Sequence, residues 1–556
     1  MERKETLAEI LLRQEVVDEE VLRIAQMDSR ARGGGFEKTL SRSTIIQEDK
    51  IARALSEELG VEYIDLKEKG IEVDKKLTDL FDPSFVSRWC ILPFREDKDH
   101  IHIVFAYPSF DARVQVEKYT RKNTGKGVRA YCSRRSNIEK KIREIYRELS
   151  PELMIEKSLD EAIRHERQTG VANTAIPSLL NAILDEALFL GATDIHLVED
   201  GHSFRVFLRC DGEYRCHRSF PPELSGKIMN AIKQNAGMDA GDRIHPQDGH
   251  FSHFWGGRWV NIRVSSIPLI DGESITLRVF DEQRIMFNLS SLGFFPVHLE
   301  LIKDTLKSPY GLILVTGPTG SGKTTTLYSI INHLEPAKKS ILTIEDPVEY
   351  RLPFVCQVQV NPRAERVPGR ILRHFLRHDP DVILVGEIRD RETAEVTVQA
   401  AETGHLVLST LHTNNAPSAI TRLRDLGVGD VSLCGSLRLV ISQRLIRKIC
   451  DECKFEYRPE GVELAYLESA GMDGERVYYK GEGCDSCRGT GYRGLDIIYE
   501  ILPLDEYDYE KIRGARTTAE IKEFAMRKGY TPMKSIALQK VAMGITTIKE
   551  VLRTCG

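Results

Sequence analysis

The segment Gly317-Pro-Thr-Gly-Ser-Gly322-Lys323-Thr324 places glycines, a lysine and a hydroxyl at a spacing that suits one task, holding phosphate. Glycines at both ends let backbone N–H groups turn inward on the anion. Lys323 reaches the outer phosphate oxygens, and Thr324 offers its hydroxyl to Mg²⁺. The candidate nucleotide-holding set is Gly317, Pro318, Thr319, Gly320, Ser321, Gly322, Lys323, Thr324 and Thr325. From average composition the bare pattern arises by chance on the order of 0.02 times in a chain of this length. Three apolar runs further along end in polar residues: Ile341-Leu-Thr-Ile344 before Glu345-Asp346-Pro347-Val348-Glu349, Val382-Ile-Leu-Val385 before Gly386-Glu387, and Leu406-Val-Leu-Ser-Thr-Leu411 before His412. Phosphoryl transfer to water calls for such groups: a carboxylate that orients or deprotonates the water, one that holds Mg²⁺ through its waters, and a polar sensor of the γ-phosphate. A surface carboxylate is the lesser reading of Glu387; His412 standing alone would more often be structural and Asp346 before Pro347 could form a turn, but one sheet carrying all three beside a phosphate loop favours an ATPase site. Asp390 reads as the N-cap of a helix over residues 391–403.

A second constellation is made of sulfur. Cys450-Asp-Glu-Cys453 and Cys484-Asp-Ser-Cys487 are two C-x-x-C knuckles, with Gly483 and Gly489 supplying tight turns, and four thiolates match a tetrahedral Zn²⁺ of structural type. A redox pair and a disulfide are the competing readings. Of the eleven cysteines, Cys90, Cys132, Cys210, Cys216, Cys356, Cys434 and Cys555 have no metal spacing and read as ordinary thiols.

These residues need a scaffold. Gly311-Leu-Ile-Leu-Val-Thr316 is a buried-strand run directly before the phosphate loop, and the following helix would bury Leu327, Ile330, Ile331 and Leu334. Residues 290–448 alternate strand and helix with near-continuous apolar strands, which predicts a parallel sheet covered by helices and a ligand site at the carboxyl ends of its strands. Residues 171–285 read as an α+β domain: a helix over 176–190, then strands Asp194-Ile-His-Leu-Val198, Ser203-Phe-Arg-Val-Phe-Leu208 and Trp259-Val-Asn-Ile-Arg-Val264. Residues 1–150 read as helical and mixed, with a weak repeat relating Val17-Asp-Glu-Glu-Val-Leu22 to Ile46-Gln-Glu-Asp-Lys-Ile51 and a strand at Ile101-His-Ile-Val-Phe-Ala106. A charged linker spans 151–170, a cysteine lobe 449–497 and a helical domain 498–556.

The totals agree with several soluble domains. Lys+Arg 78 against Asp+Glu 83 gives a net charge of -5, which offers no global attraction for nucleic acid. No apolar run approaches the ~20 residues of a membrane span, and Met1-Glu-Arg-Lys-Glu begins no secretory signal, so a cytoplasmic protein is expected.

Over residues 170–556 these motifs resemble the secretion ATPases of type II secretion and type IV pilus assembly. The resemblance rests on the phosphate loop, the acidic box Glu345-Asp-Pro-Val-Glu349, the second Walker motif Asp379-Pro-Asp-Val-Ile-Leu-Val-Gly-Glu-Ile-Arg-Asp390 and the histidine box Thr403-Gly-His-Leu-Val-Leu-Ser-Thr-Leu-His-Thr413. It implies a multidomain α/β chain: a RecA-like P-loop core, a preceding PAS-like α+β domain, an N-terminal docking domain, a four-cysteine zinc lobe and a helical C-terminal domain. It further implies that Glu349 is the catalytic carboxylate, that Glu387 holds Mg²⁺ through water and that His412 meets the nucleotide region. Arg263, in Arg263-Val-Ser-Ser-Ile-Pro268, and Arg278, in Gly272-Glu-Ser-Ile-Thr-Leu-Arg278, match the arginines that the family's preceding domain lends to the nucleotide. ATP, Mg²⁺, Zn²⁺, a homo-hexamer, a cytoplasmic site at the inner membrane and partners in a membrane platform follow in the same way.

The chain departs from the family at Ala364-Glu-Arg-Val-Pro-Gly369, after Asn361-Pro-Arg, and at His250, where arginine is usual after Pro-Gln-Asp-Gly249. Paired Arg-Leu-Gly segments, through which some members bind cyclic di-GMP, are missing near residues 6–8 and 38–40, so no such binding is expected. A retraction motor is disfavoured by the long N-terminal region and the knuckles, and a nucleic-acid translocase by the acidic balance. A non-hydrolysing adaptor is disfavoured by Lys323, Glu349 and Glu387.

Overall fold

A computed structural model describes residues 6–14, 16–17, 22, 48–66, 73–81, 85–86, 89–106, 110–145, 158–160, 175–201, 203–255, 258–280, 288–474, 476–515, 517–528 and 530–555. Contacts divide the chain into two units, residues 1–284 and 285–556. Half of the repeat at residues 17–22 and 46–51, and most of the linker at 151–170, lies outside the described residues.

The first unit begins with helix Leu7–Arg13, started by a capping box in which Thr6 and Glu9 exchange side-chain and backbone hydrogen bonds. Its apolar stripe, Leu7, Ile10 and Leu11, packs with Ile51, Ala54 and Leu55 of helix Glu48–Leu59. A four-stranded sheet follows in the order Glu62–Tyr63, Gly127–Cys132, His100–Phe105, Ile91–Glu96. Residues 175–280 form a six-stranded antiparallel sheet. Helices Ala175–Phe189 and Ser225–Asn235 share one apolar core with its strands, through Leu179, Ile183, Ile228 and Ile232 against Ile195, Leu197, Ile275 and Leu277. The expected strands are all present, as Ala192–Glu199, Phe204–Cys210 and Arg258–Leu269.

The second unit is built on a seven-stranded sheet in the order Cys356–Gln359, Ile341–Glu345, Val382–Val385, Leu406–Leu411, Gly311–Thr316, Leu437–Ile449, Tyr492–Pro503. The first six run parallel and the seventh antiparallel to its neighbour. Every residue of the strands over 311–316, 341–345, 382–385 and 406–411 is buried, as their continuous apolar runs require for a sheet covered on both faces. Leu327, Ile330, Ile331 and Leu334 of the phosphate-loop helix are buried with Ile313, Val315 and Ile341. Helices Arg391–Glu402 and Ala416–Asp425 pack in the other core, with Leu312, Leu314 and Val440.

The sheet does not stop at residue 448. The sequence pattern divides Tyr492–Pro503 between the cysteine lobe and a helical tail, whereas it forms the seventh strand, pairing from Ile449↔Tyr492 to Leu439↔Pro503. Its run Ile497 to Leu502, apolar but for Glu500, is short enough to suit a strand or a buried helix, and only pairing with Leu437–Ile449 decides between them. The helical part of the tail begins after it, with Tyr509–Gly514, Thr518–Arg527, Met533–Ala542 and Ile548–Cys555. Among the described residues no helix is long and apolar enough to cross a membrane.

Candidate functional site

The phosphate loop lies between strand Gly311–Thr316 and helix Lys323–His333, which is the connection the sequence predicts. Gly322 caps that helix at φ 85°, a left-handed conformation that a side chain would strain. Gly317 is required for space as well, since a Cβ there would stand 2.4 Å from the backbone oxygen of Gln443. The Lys323 ammonium donates to the carbonyl oxygens of Gly317 at 2.9 Å and Pro318 at 3.0 Å, so it sits over the centre of the loop. Burial lowers its pKa, and the nearby Glu387 carboxylate opposes that shift. Thr324 and Thr325 open the helix half-buried, with Thr319 exposed beside them.

Strands Val382–Val385 and Leu406–Leu411 are neighbours, and their ends bring Glu387 and His412 together, Nε2 to Oε2 at 3.4 Å. Ile388 N donates to Thr410 O at 3.1 Å, and Thr410 Oγ1 to Gly386 O at 2.7 Å, fixing the two strand ends against each other. Arg389 forms an ion pair with Glu387 and lies 3.5 Å from Asp346. Asp390 is the helix N-cap that the sequence indicates, accepting from Thr393 N at 2.8 Å. Glu349 is half-buried in the segment leaving strand Ile341–Glu345. Thus one side of one sheet gathers a cation-lined anion loop, carboxylates and an imidazole.

Arg263 and Arg278 lie in the first unit, directly opposite each other on paired strands. Arg278 Nε donates to Asp194 at 2.9 Å, and the Arg263 guanidinium rests over the Phe280 ring at 4.4 Å.

The sequence pattern assigns Gln443 no role, since it stands between Ser442 and Arg444 in a strand of mixed polarity and its partners are over a hundred residues away. It is buried, its Nε2 donates to Ser321 O at 2.8 Å and its Oε1 accepts from Thr326 Oγ1 at 2.8 Å, so it props both the loop and the first turn of the helix. Arg389 is visible inside the second Walker motif but not as a partner of Glu387. A Gln443→Leu substitution keeps the volume and leaves two buried polar atoms unpaired. Nucleotide affinity by calorimetry is expected to fall about tenfold in a folded protein.

The four knuckle thiols converge. Their sulfurs all lie within 4.8 Å of one another, and the pairs Cys450–Cys484, Cys453–Cys487 and Cys484–Cys487 are 3.8, 3.7 and 3.8 Å apart. Tetrahedral Zn²⁺ with bonds of about 2.3 Å demands S···S separations of about 3.8 Å, so the residues present fit the ion. Backbone N–H groups support them, Gly483 to Cys453 at 3.4 Å, Cys484 to Cys487 at 3.1 Å and Gly491 to Cys487 at 3.2 Å. Burial pushes the Cys487 thiol up, while the N–H groups of Cys484 and Gly491 and the neighbouring thiols of Cys453 and Cys484 pull it below the usual thiol value.

A phosphate loop at the end of a central parallel strand, with acidic groups and a histidine at the ends of its neighbours, defines a P-loop nucleotide hydrolase. The family described as Type II/IV secretion system protein matches residues 170–553, and the MshEN domain matches residues 59–152. The chain belongs to the Type II/IV secretion system protein family and is an ATPase of that family. The type IV pilus assembly ATPase PilB of Myxococcus xanthus is 34% identical over 563 residues, 98% of this chain and 98% of that protein. PilB of Thermus thermophilus is 35% identical over 535 residues, 94% of this chain, which spans only 59% of that longer relative. The type II secretion system protein E of Pseudomonas aeruginosa is 44% identical over 377 residues, 67% of this chain and 74% of that protein. The solved structure of the ATPase DotB of Legionella pneumophila shares the fold, with a TM-score of 0.50 at 23% identity over 68% of this chain and 95% of its own.

Proposed function

We propose that this chain is a hexameric, Mg²⁺-dependent motor whose ATP hydrolysis powers type II secretion or type IV pilus assembly from the cytoplasmic face of the inner membrane. The observation that carries this reading is the placement of Lys323, Glu387 and His412 at the ends of three adjacent parallel strands. In it, the loop residues Gly317 to Thr325 hold the phosphates. Thr324 and Glu387 supply oxygen donors suited to Mg²⁺, Glu387 through water. Glu349 activates the attacking water and His412 meets the γ-phosphate region. Arg263 and Arg278 form a cross-strand pair of positive charges that would neutralise charge developing on the leaving phosphate. The cysteine lobe holds structural Zn²⁺, membrane association runs through platform partners, and nucleic acid is not a partner.

The test is steady-state ATP hydrolysis together with light scattering, with and without a non-hydrolysable ATP analogue. Nucleotide-stabilised hexamers that turn over ATP only with Mg²⁺ are the expected result. Zinc-loaded, assembled protein that binds ATP and never hydrolyses it, even beside membranes carrying the secretion machinery, would sink the proposal.

A further inference from the structure

Glu349 sits in the bend between strand Ile341–Glu345 and the edge strand Cys356–Gln359, and side chains at the neck of that bend form one buried polar cluster. Tyr328, five residues after Lys323 in the same helix, is fully buried, and its hydroxyl donates to Glu345 Oε2. The other carboxylate oxygen of Glu345 accepts from Thr343 Oγ1 at 2.6 Å and from Gln357 Nε2 at 3.2 Å. Gln357 then closes the bend: Nε2 also donates to Tyr350 O at 3.0 Å, while Oε1 accepts from Leu352 N at 2.8 Å. Gln357 Nε2 also stands 3.5 Å from the phenolic oxygen of Tyr328, so amide, carboxylate and phenol meet at one point.

Each contact has a physical reason. Glu345 is buried, and a carboxylate there requires donors on both oxygens, which Tyr328, Thr343 and Gln357 provide. Register places Gln357 beside Thr343, so the two side chains stand on the same face of the sheet as the phosphate-loop helix. Burial and then the Glu345 charge raise the pKa of Tyr328, which keeps its proton and remains a donor. Tyr350, the residue after Glu349, is therefore tied through Gln357 and Glu345 to Tyr328, in the helix whose first residue is Lys323.

We infer that Tyr328 and Gln357 are positioning residues for Glu349: they lock the bend carrying that carboxylate to the phosphate-loop helix, so that water activation and phosphate binding share one rigid frame. This rests on the reading of Glu349 as the catalytic carboxylate. Neither residue belongs to the phosphate loop, and their hydrogen bonds run to Glu345, Tyr350 and Leu352, so their loss is expected in the chemical step, where small misplacements of a reacting group are costly.

The experiment compares full-length Tyr328→Phe, Gln357→Met, Glu349→Gln and the Tyr328→Phe/Glu349→Gln double variant. It measures turnover, nucleotide affinity by calorimetry and thermal unfolding. Tyr328→Phe keeps the ring and removes the hydroxyl, and Gln357→Met keeps length without hydrogen bonds. Turnover in both is expected to fall about tenfold or more with affinity changed less than about twofold. Adding Tyr328→Phe to Glu349→Gln is expected to cost nothing further, since both remove the same function. Parental turnover in a folded single variant, or equal loss of turnover and affinity tracking a lower melting temperature, overturns the inference. If Tyr328→Phe does not fold, Gln357→Met decides alone. Full activity in Glu349→Gln removes the catalytic reading and this inference with it, whereas an inactive Glu349→Gln beside active positioning variants removes the inference only.

Discussion

Glu349→Gln is expected to bind Mg-ATP within about twofold of the parent's affinity and to hydrolyse it about 100-fold to 10,000-fold more slowly, the range that loss of a positioned general base commands. The carboxamide matches the carboxylate in shape, so the half-buried bend around it keeps its tether through Gln357 and Glu345 to Tyr328. In the proposed mechanism phosphate binding is carried by other atoms: the loop amides and Lys323, whose ammonium is already centred over Gly317 O and Pro318 O. What the amide cannot do is take a proton from water. Lys323→Ala serves as the opposite control, because it deletes the half-buried cation proposed to meet the phosphates and should abolish binding along with turnover. Single-turnover hydrolysis with equilibrium binding separates the two. Comparable turnover in Glu349→Gln and the parent would move the catalytic assignment elsewhere.

The second large effect is expected at the knuckles. Purified protein should carry about one Zn²⁺ per chain by elemental analysis, bound by Cys450, Cys453, Cys484 and Cys487. In Cys484→Ser, or after chelation, the lobe should lose up to about 10 kcal/mol of local stability, since binding energy at a structural zinc site is folding energy. The damage will not stay local. Gly491, whose N–H donates to Cys487, directly precedes Tyr492–Pro503, the strand that forms the antiparallel edge of the core sheet. Buried Glu500 in that strand accepts from Ala416 N at 2.5 Å and from Met533 N at 3.3 Å, reaching the helix that follows His412. Hydrogen exchange after zinc removal should show loss of protection spreading from residues 450–490 into Tyr492–Pro503. Unchanged protection and melting in zinc-free protein would refute a structural role for the ion.

The phosphate loop, its flanking strand and helix, and the knuckles can be read from sequence because each is local: glycines where the backbone must turn left, a lysine at the first helical residue, cysteines in closely spaced pairs. The convergence of Glu387 and His412 is readable one step less directly, as polar residues after buried runs whose strands could share a sheet. Gln443, Tyr328 and Gln357 cannot be found that way. An amide in a strand or a tyrosine in a helix carries no spacing signature, and their partners at Ser321, Glu345 and Leu352 are set by which strands lie side by side. Tyr492–Pro503 is misread for the same reason, since long-range pairing, not the residues alone, makes it part of the core.

The outer parallel strand, Cys356–Gln359, is only four residues long, and Pro353 and Pro362 stand close on either side of it. An open sheet edge is a template for pairing with another chain, and brevity and proline are the means by which such templates are blunted. Molecules of this chain crowded together at high local concentration can therefore touch repeatedly without their sheets fusing edge to edge. Lengthening that strand by replacing both prolines would make the protein prone to fibrous aggregation.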